Sequence, residues 1–116
     1  MSESAFVRAI RTTAIARGEA AIVRIGRYDV AIFNLGDSFV AYENSCPHQG
    51  GPIGEGLIEG TTVICPWHAW CFDLRTGKMT LGDFASLRKF EVRIANDAVE
   101  VSSEPSFDFA EDDRNG

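Results

Sequence analysis

Both histidines of this 116-residue chain, and two of its three cysteines, fall in two short segments built alike. These are Cys46-Pro47-His48 and Cys65-Pro66-Trp67-His68, with sixteen residues between His48 and Cys65. Each segment offers one thiolate and one imidazole, so Cys46, His48, Cys65 and His68 together make a four-ligand metal site presented by two loops.

The mixture of ligands bears on the metal. A structural zinc site usually joins a Cys-x-x-Cys knuckle to a pair of histidines several residues apart. Here a single residue separates Cys46 from His48, and so short a gap in an extended loop makes it hard for both to reach one ion. Two metals a few ångström apart remove the difficulty: one iron takes Cys46 and Cys65 and the other takes His48 and His68, the division in which two histidines replace two cysteines on one iron of a [2Fe-2S] centre. A zinc-stabilised interaction module without redox activity is the alternative of another class, since a sequence shows ligands and not the ion.

Composition sets outer bounds. One domain with one core suits 116 residues. No stretch approaches the roughly 20 apolar residues of a membrane span, and Met1 to Ala20 lacks the apolar run of a secretion signal, so a cytoplasmic protein is expected. Three cysteines do not suggest a disulfide framework, because two belong to the metal site and Cys71 is left over. The net charge of −6 is uneven: residues 104 to 116 hold Glu104, Asp108, Glu111, Asp112 and Asp113 against Arg114 alone, leaving the rest of the chain nearly neutral. Nucleic acid is thereby excluded as a partner, since it requires a basic face.

The pattern along the chain is one of short strands. Phe6–Ile10, Ala20–Ile25, Val30–Leu35, Phe39–Tyr42, Thr62–Cys65, Trp70–Leu74, Leu87–Ile94 and Ala98–Val101 are rich in β-branched and aromatic residues. Turn signals separate them at Arg17-Gly18, Gly26-Arg27, Gly36-Asp37-Ser38, Arg75-Thr76-Gly77-Lys78 and Asn96-Asp97. Without a long amphipathic helix or a repeat, this predicts an all-β antiparallel sandwich or barrel.

The run Cys46-Pro47-His48-Gln49-Gly50-Gly51-Pro52, with Cys65-Pro66-Trp67-His68-Ala69-Trp70-Cys71-Phe72-Asp73-Leu74-Arg75-Thr76-Gly77-Lys78, resembles the two cluster loops and following strand-turn of the Rieske ferredoxin family. The resemblance implies an antiparallel base domain over residues 1–103, with an inserted cluster-binding subdomain from about Tyr42 to Lys78 and one Rieske-type [2Fe-2S] cluster at its tip. Residues 104–116 are expected to be an acidic tail without fixed structure. Pro47 and Pro66 stiffen the ligand loops. Gly50, Gly51 and Gly54 are read as letting backbone N–H groups approach the bridging sulfides, with a plain turn as the alternative for Gly54 and Gly56. Trp67 and Trp70 are expected to shield the cluster or fill the core beneath it, and Cys71 to be a small buried hydrophobe on the strand side away from the ligand loop.

Charge counting says what the histidines accomplish. Two ferric ions, two sulfides and two thiolates sum to zero, whereas four thiolates would leave −2, so an electron is accepted more easily; Rieske potentials run from roughly −150 to +300 mV against about −400 mV for plant-type ferredoxins. Within that range the chain is expected to lie low. The high-potential branch carries a serine and a tyrosine two and four residues beyond the second histidine ligand, where this chain has Trp70 and Phe72, and a loop disulfide at the places held here by Gly51 and Trp67. A third loop, often proline-bearing, normally covers the cluster; the matching stretch, Met79 to Ser86, has no proline.

No histidine remains for a mononuclear iron site and no nucleotide-binding glycine fingerprint is present, so the chain is expected to be an electron-transfer component rather than an enzyme by itself. The resemblance implies protein partners: a flavin reductase as donor and a ring-hydroxylating oxygenase as acceptor. The alternative is the small subunit of an NAD(P)H nitrite reductase-like complex, which the run Gln49 to Gly56 also resembles. His48 and His68 are the expected exit for the electron.

Overall fold

The computed structural model describes residues 5–45, 51–66, 70–80 and 86–105. Ten strands follow one another: β1 (Phe6–Arg11), β2 (Ala20–Ile25), β3 (Tyr28–Asn34), β4 (Phe39–Glu43), β5 (Leu57–Glu59), β6 (Thr62–Ile64), β7 (Cys71–Asp73), β8 (Lys89–Phe90), β9 (Val92–Ala95) and β10 (Ala98–Ser102). Two 3-10 turns, Thr12–Ala14 and Ile53–Glu55, are the only helical pieces among the described residues. The protein is all-β, and every strand pairing is antiparallel.

The strands form three sheets, ordered β1-β10-β9, β2-β3-β4-β8 and β5-β6-β7. The first two make the base. Their facing sides bury Ile25, Val30, Ile32, Ala41, Phe90, Val99 and Val101, with the Tyr28 ring edge-on to Phe90 at 5.3 Å. Alternation along β3 sends Val30 and Ile32 into this core and Ala31 and Phe33 to the other side of the sheet. Being buried on both faces explains why β3 reads as a nearly unbroken apolar run. On the far side Ala31, Phe33 and Tyr42 meet Ile53, Val63, Cys65, Phe72, Leu74 and Leu87, so a second core joins the base to the small third sheet.

Two elements differ from the sequence reading. Leu87–Ile94 is not one strand: β8 ends at Phe90 and β9 begins at Val92 in another sheet. Glu91 makes the crossing, its N–H donating to Ser102 Oγ at 3.0 Å and its carbonyl accepting from the Ser102 N–H at 2.9 Å. The buried Ser102 hydroxyl in turn donates to the Glu104 carbonyl at 2.8 Å. A uniform β-rich run conceals such a transfer because its partners are remote in sequence. The second difference is β5, a strand that the sequence does not predict. Three residues between Gly56 and Gly60, one of them a glutamate, carry little strand signal, and β5 exists because β6 gives it a ladder.

Cα partners show how the third sheet is pinned. Leu57 faces Ile64, Ile58 faces Val63 and Glu59 faces Thr62, while Thr62, Val63 and Ile64 face Asp73, Phe72 and Cys71. The Tyr42 hydroxyl donates to the Leu74 carbonyl at 2.7 Å, tying β4 of the base to the turn after β7. Outside, the Arg75 guanidinium donates to both carboxylate oxygens of Asp37 at 3.2 Å, a second tie between that turn and the β3–β4 turn. The same hydrogen bond holds the Asp37 carboxyl below the usual carboxylate range.

Candidate metal centre

Of the four candidate ligands, Cys65 lies within the described residues; Cys46, His48 and His68 lie outside them. Trp67, Gly50 and the tail beyond Pro105 are also outside, as are residues 81–85 in the stretch matched to the family's third loop. What the structure describes is the frame from which both loops hang.

The second loop leaves the end of β6 and returns at the start of β7. Its neck is closed by the Cys65 N–H donating to the Trp70 carbonyl at 2.8 Å. Cys65 is 2% exposed and belongs to the core shared by base and third sheet. A thiolate in so dry a setting needs a cation beside it, and a bound metal supplies one. This donor therefore fits a metal–sulfur group. Trp70, half-buried, packs on the same core, which bears out its core-filling role.

The first loop begins where β4 runs out. The Asn44 N–H donates to the Asp29 carbonyl at 2.8 Å, and the Asn44 side-chain oxygen accepts from the Gly54 N–H at 2.6 Å. That second bond joins the residue two before Cys46 to one six beyond His48, closing the loop across its base. Beyond it, Pro52 and Ile53 start a 3-10 turn whose Ile53 is fully buried. Sequence reasoning missed Asn44; its signal was an asparagine just before a glycine-rich loop, the setting in which its side chain bonds local backbone.

Gly54 and Gly56 have a packing reason. A Cβ on Gly54 would come within 2.7 Å of Ile22 Cγ1 and 3.1 Å of the Ala31 Cβ, so the loop lies directly on β2 and β3. A Cβ on Gly56 would collide with the carbonyl oxygen of Ile64, the last residue before Cys65. For Gly54 the close approach is to the base, and for Gly56 it brings the two loops together.

Phe72, at the place of the high-potential branch's tyrosine, is fully buried and has no hydroxyl to offer. Cys71 is half-buried on the face of β7 opposite to Phe72, as alternation requires, and so is less enclosed than expected.

The sequence profile of the Rieske [2Fe-2S] domain matches residues 5–91. The chain belongs to that family. Its cofactor is accordingly one Rieske-type [2Fe-2S] cluster, and the zinc-module alternative falls away. Ferredoxin CarAc of Metapseudomonas resinovorans is 32% identical over 82 residues, which cover 70% of this chain and 77% of that one. Apoptosis-inducing factor 3 of Mus musculus is 36% identical over 87 residues, 72% of this chain but 14% of that protein, so the chain spans a small part of that relative's length. Among solved structures, a complex of reduced oxygenase and oxidised ferredoxin in carbazole 1,9a-dioxygenase contains a chain that superimposes with a TM-score of 0.82 at 26% identity, covering 91% of this chain and 100% of that one. The small subunit of a nitrite reductase (NADPH) superimposes with a TM-score of 0.73 at 19% identity, covering 84% of this chain and 97% of that one, a likeness of fold alone. No helix among the described residues is long and apolar enough to cross a membrane.

Proposed function

We propose that this protein is a one-electron carrier that takes electrons from a reductase and delivers them to the terminal component of a ring-hydroxylating oxygenase system, without catalysing a reaction itself. Cys46 and Cys65 would hold one iron and His48 and His68 the other. Bound there, the cluster supplies reversible one-electron chemistry. The chain's own part is to fix the loops: Asn44 and Gly54 close the first, the Cys65–Trp70 bond closes the second, and the shared core keeps water from the Cys65 side. A rigid frame suits a carrier, because little rearrangement accompanies gain or loss of an electron.

The observation that carries this reading is the likeness to a ferredoxin recorded in complex with its oxygenase, which matches over its whole length. The absence of a hydroxyl at Phe72 supports a potential in the low part of the Rieske range, since hydrogen bonds to cluster sulfur raise it. Residues 1–103 are proposed as the cluster domain and 104–116 as an acidic appendage whose root is held, the Tyr28 hydroxyl donating to Glu104 Oε1 at 3.3 Å.

Reconstitution tests the assignment. The holoprotein is expected to restore turnover when added to an NADH-dependent flavin reductase and a ring-hydroxylating oxygenase, while variants lacking Cys65 or His68 restore none. Turnover with a nitrite reductase large subunit and none with oxygenases would favour the alternative, and failure with both would refute the carrier role.

A further inference from the structure

The register of the third sheet sorts its side chains onto two faces. Ile58, Val63 and Phe72 form one cross-strand row, and all three pack into the core. Alternation sends the rows on either side outward: Leu57, Ile64 and Cys71 in one, Glu59, Thr62 and Asp73 in the other. At 59% Leu57 is the most exposed large apolar side chain among the described residues, and Ile64 and Cys71 are half-buried. The apolar row adjoins the second ligand loop, for Ile64 precedes Cys65 and Cys71 follows Trp70. The face is thus zoned, apolar beside the metal centre and polar beyond it.

Its charge is one-sided. Residues 44–74 contain Glu55, Glu59 and Asp73 and neither lysine nor arginine. Glu55, at the end of the 3-10 turn, and Glu59, at the end of β5, are exposed and flank Leu57 in sequence. The cations that follow this stretch in sequence, Arg75 and Lys78, lie beyond Asp73, whose N–H donates to the Lys78 carbonyl. Lys78 is therefore about 14 Å from β5, three strand spacings away. An apolar side chain between two carboxylates, beside the second ligand loop and in a stretch of chain without lysine or arginine, matches a partner surface of opposite design.

We propose that this outward face of β5-β6-β7 is a docking surface for a redox-partner protein, with Leu57 entering an apolar patch that lysine or arginine side chains flank on the side facing β5. The proposal rests on the carrier reading above. Carboxylates at such a rim steer encounter and set its salt dependence, while the apolar anchor governs how long the complex lasts. It also gives Ile64 and Cys71 a place in the function: they form the floor across which the partner approaches the second ligand loop.

The test uses cytochrome c as acceptor, because its exposed haem edge is apolar and ringed by lysines. Dithionite-reduced holoprotein, freed of excess reductant, is mixed with oxidised cytochrome c in a stopped-flow instrument over a range of ionic strength, after the EPR signal of each variant has been matched to the wild type. Glu59→Lys is expected to slow the second-order reaction about tenfold at low salt, the difference vanishing at high salt. Leu57→Asn, at an exposed position, slows it about threefold or more at every ionic strength. Glu19→Lys, the same charge change on the base, stays within about twofold. Equal slowing by Glu59→Lys and Glu19→Lys, or an unaffected Leu57→Asn, would overturn the docking face. So would a wild-type dimer in sedimentation that Leu57→Asn dissolves, since the occupant would then be a second copy. A wild type without an EPR signal strikes instead at the carrier reading.

Discussion

Asn44 carries more of the metal centre's geometry than its place outside the ligand motif suggests. Its side-chain oxygen accepts the Gly54 N–H at 2.6 Å while its own N–H is held by Asp29, so one residue anchors both ends of the first ligand loop to β3. Replacing it by alanine leaves the Gly54 N–H without that acceptor, a loss of about 1–2 kcal/mol. Asn44→Ala is expected to lower the denaturation midpoint and the iron retained per chain after gel filtration. Asn44→Asp keeps the acceptor and should restore iron content, while its added negative charge near the centre lowers the reduction potential. Equal iron in Asn44→Ala and the wild type would show that the loop closes without this bond. At this scale the sequence singles out four candidate ligands, because cysteine and histidine are scarce and their spacing is chemically restrictive, and of these the described residues include Cys65. The sequence hides Asn44, whose partner lies ten residues away.

Between elements, the tie that matters most is the one from β4 to the turn after β7, made by the Tyr42 hydroxyl on the Leu74 carbonyl in a fully buried setting. Burial, and then the nearby Asp73 carboxylate, push the Tyr42 phenol well above its ordinary value. The unfolded chain ionises first, so the stabilising contribution is complete below about pH 10 and is lost as pH rises toward the folded-state value. Tyr42→Phe should cost about 1–2 kcal/mol in urea denaturation at pH 8, and its deficit relative to the wild type should shrink by pH 10.5. A deficit that is constant or widens with pH would contradict this. The strands legible in sequence are those with strong alternation or long apolar runs, such as β2, β3 and β10, and hairpin turns such as Asn96-Asp97, whose φ angles of 53° and 64° suit a tight connection. β5 and the break at Glu91 were not legible, because each depends on a partner strand rather than on local propensity.

Over the whole molecule, two cores share the β2-β3-β4-β8 sheet, one facing the base and one facing the third sheet, and this arrangement makes the cluster subdomain an extension of the base. Charge is segregated along it: residues 44–74 hold three acids and no base, whereas the arginines of β1, β2 and β9 lie in the base. The proposed docking face lies at the acidic end of this division. The central claim is that two histidines bind one iron of a [2Fe-2S] pair and two cysteines the other, and the most direct test is pulsed EPR of the dithionite-reduced protein. Strong hyperfine couplings from two imidazole nitrogens, lost when His48 and His68 are replaced, are the predicted result. A reduced protein that shows a paramagnetic centre without nitrogen coupling, or no such centre at all, would contradict it.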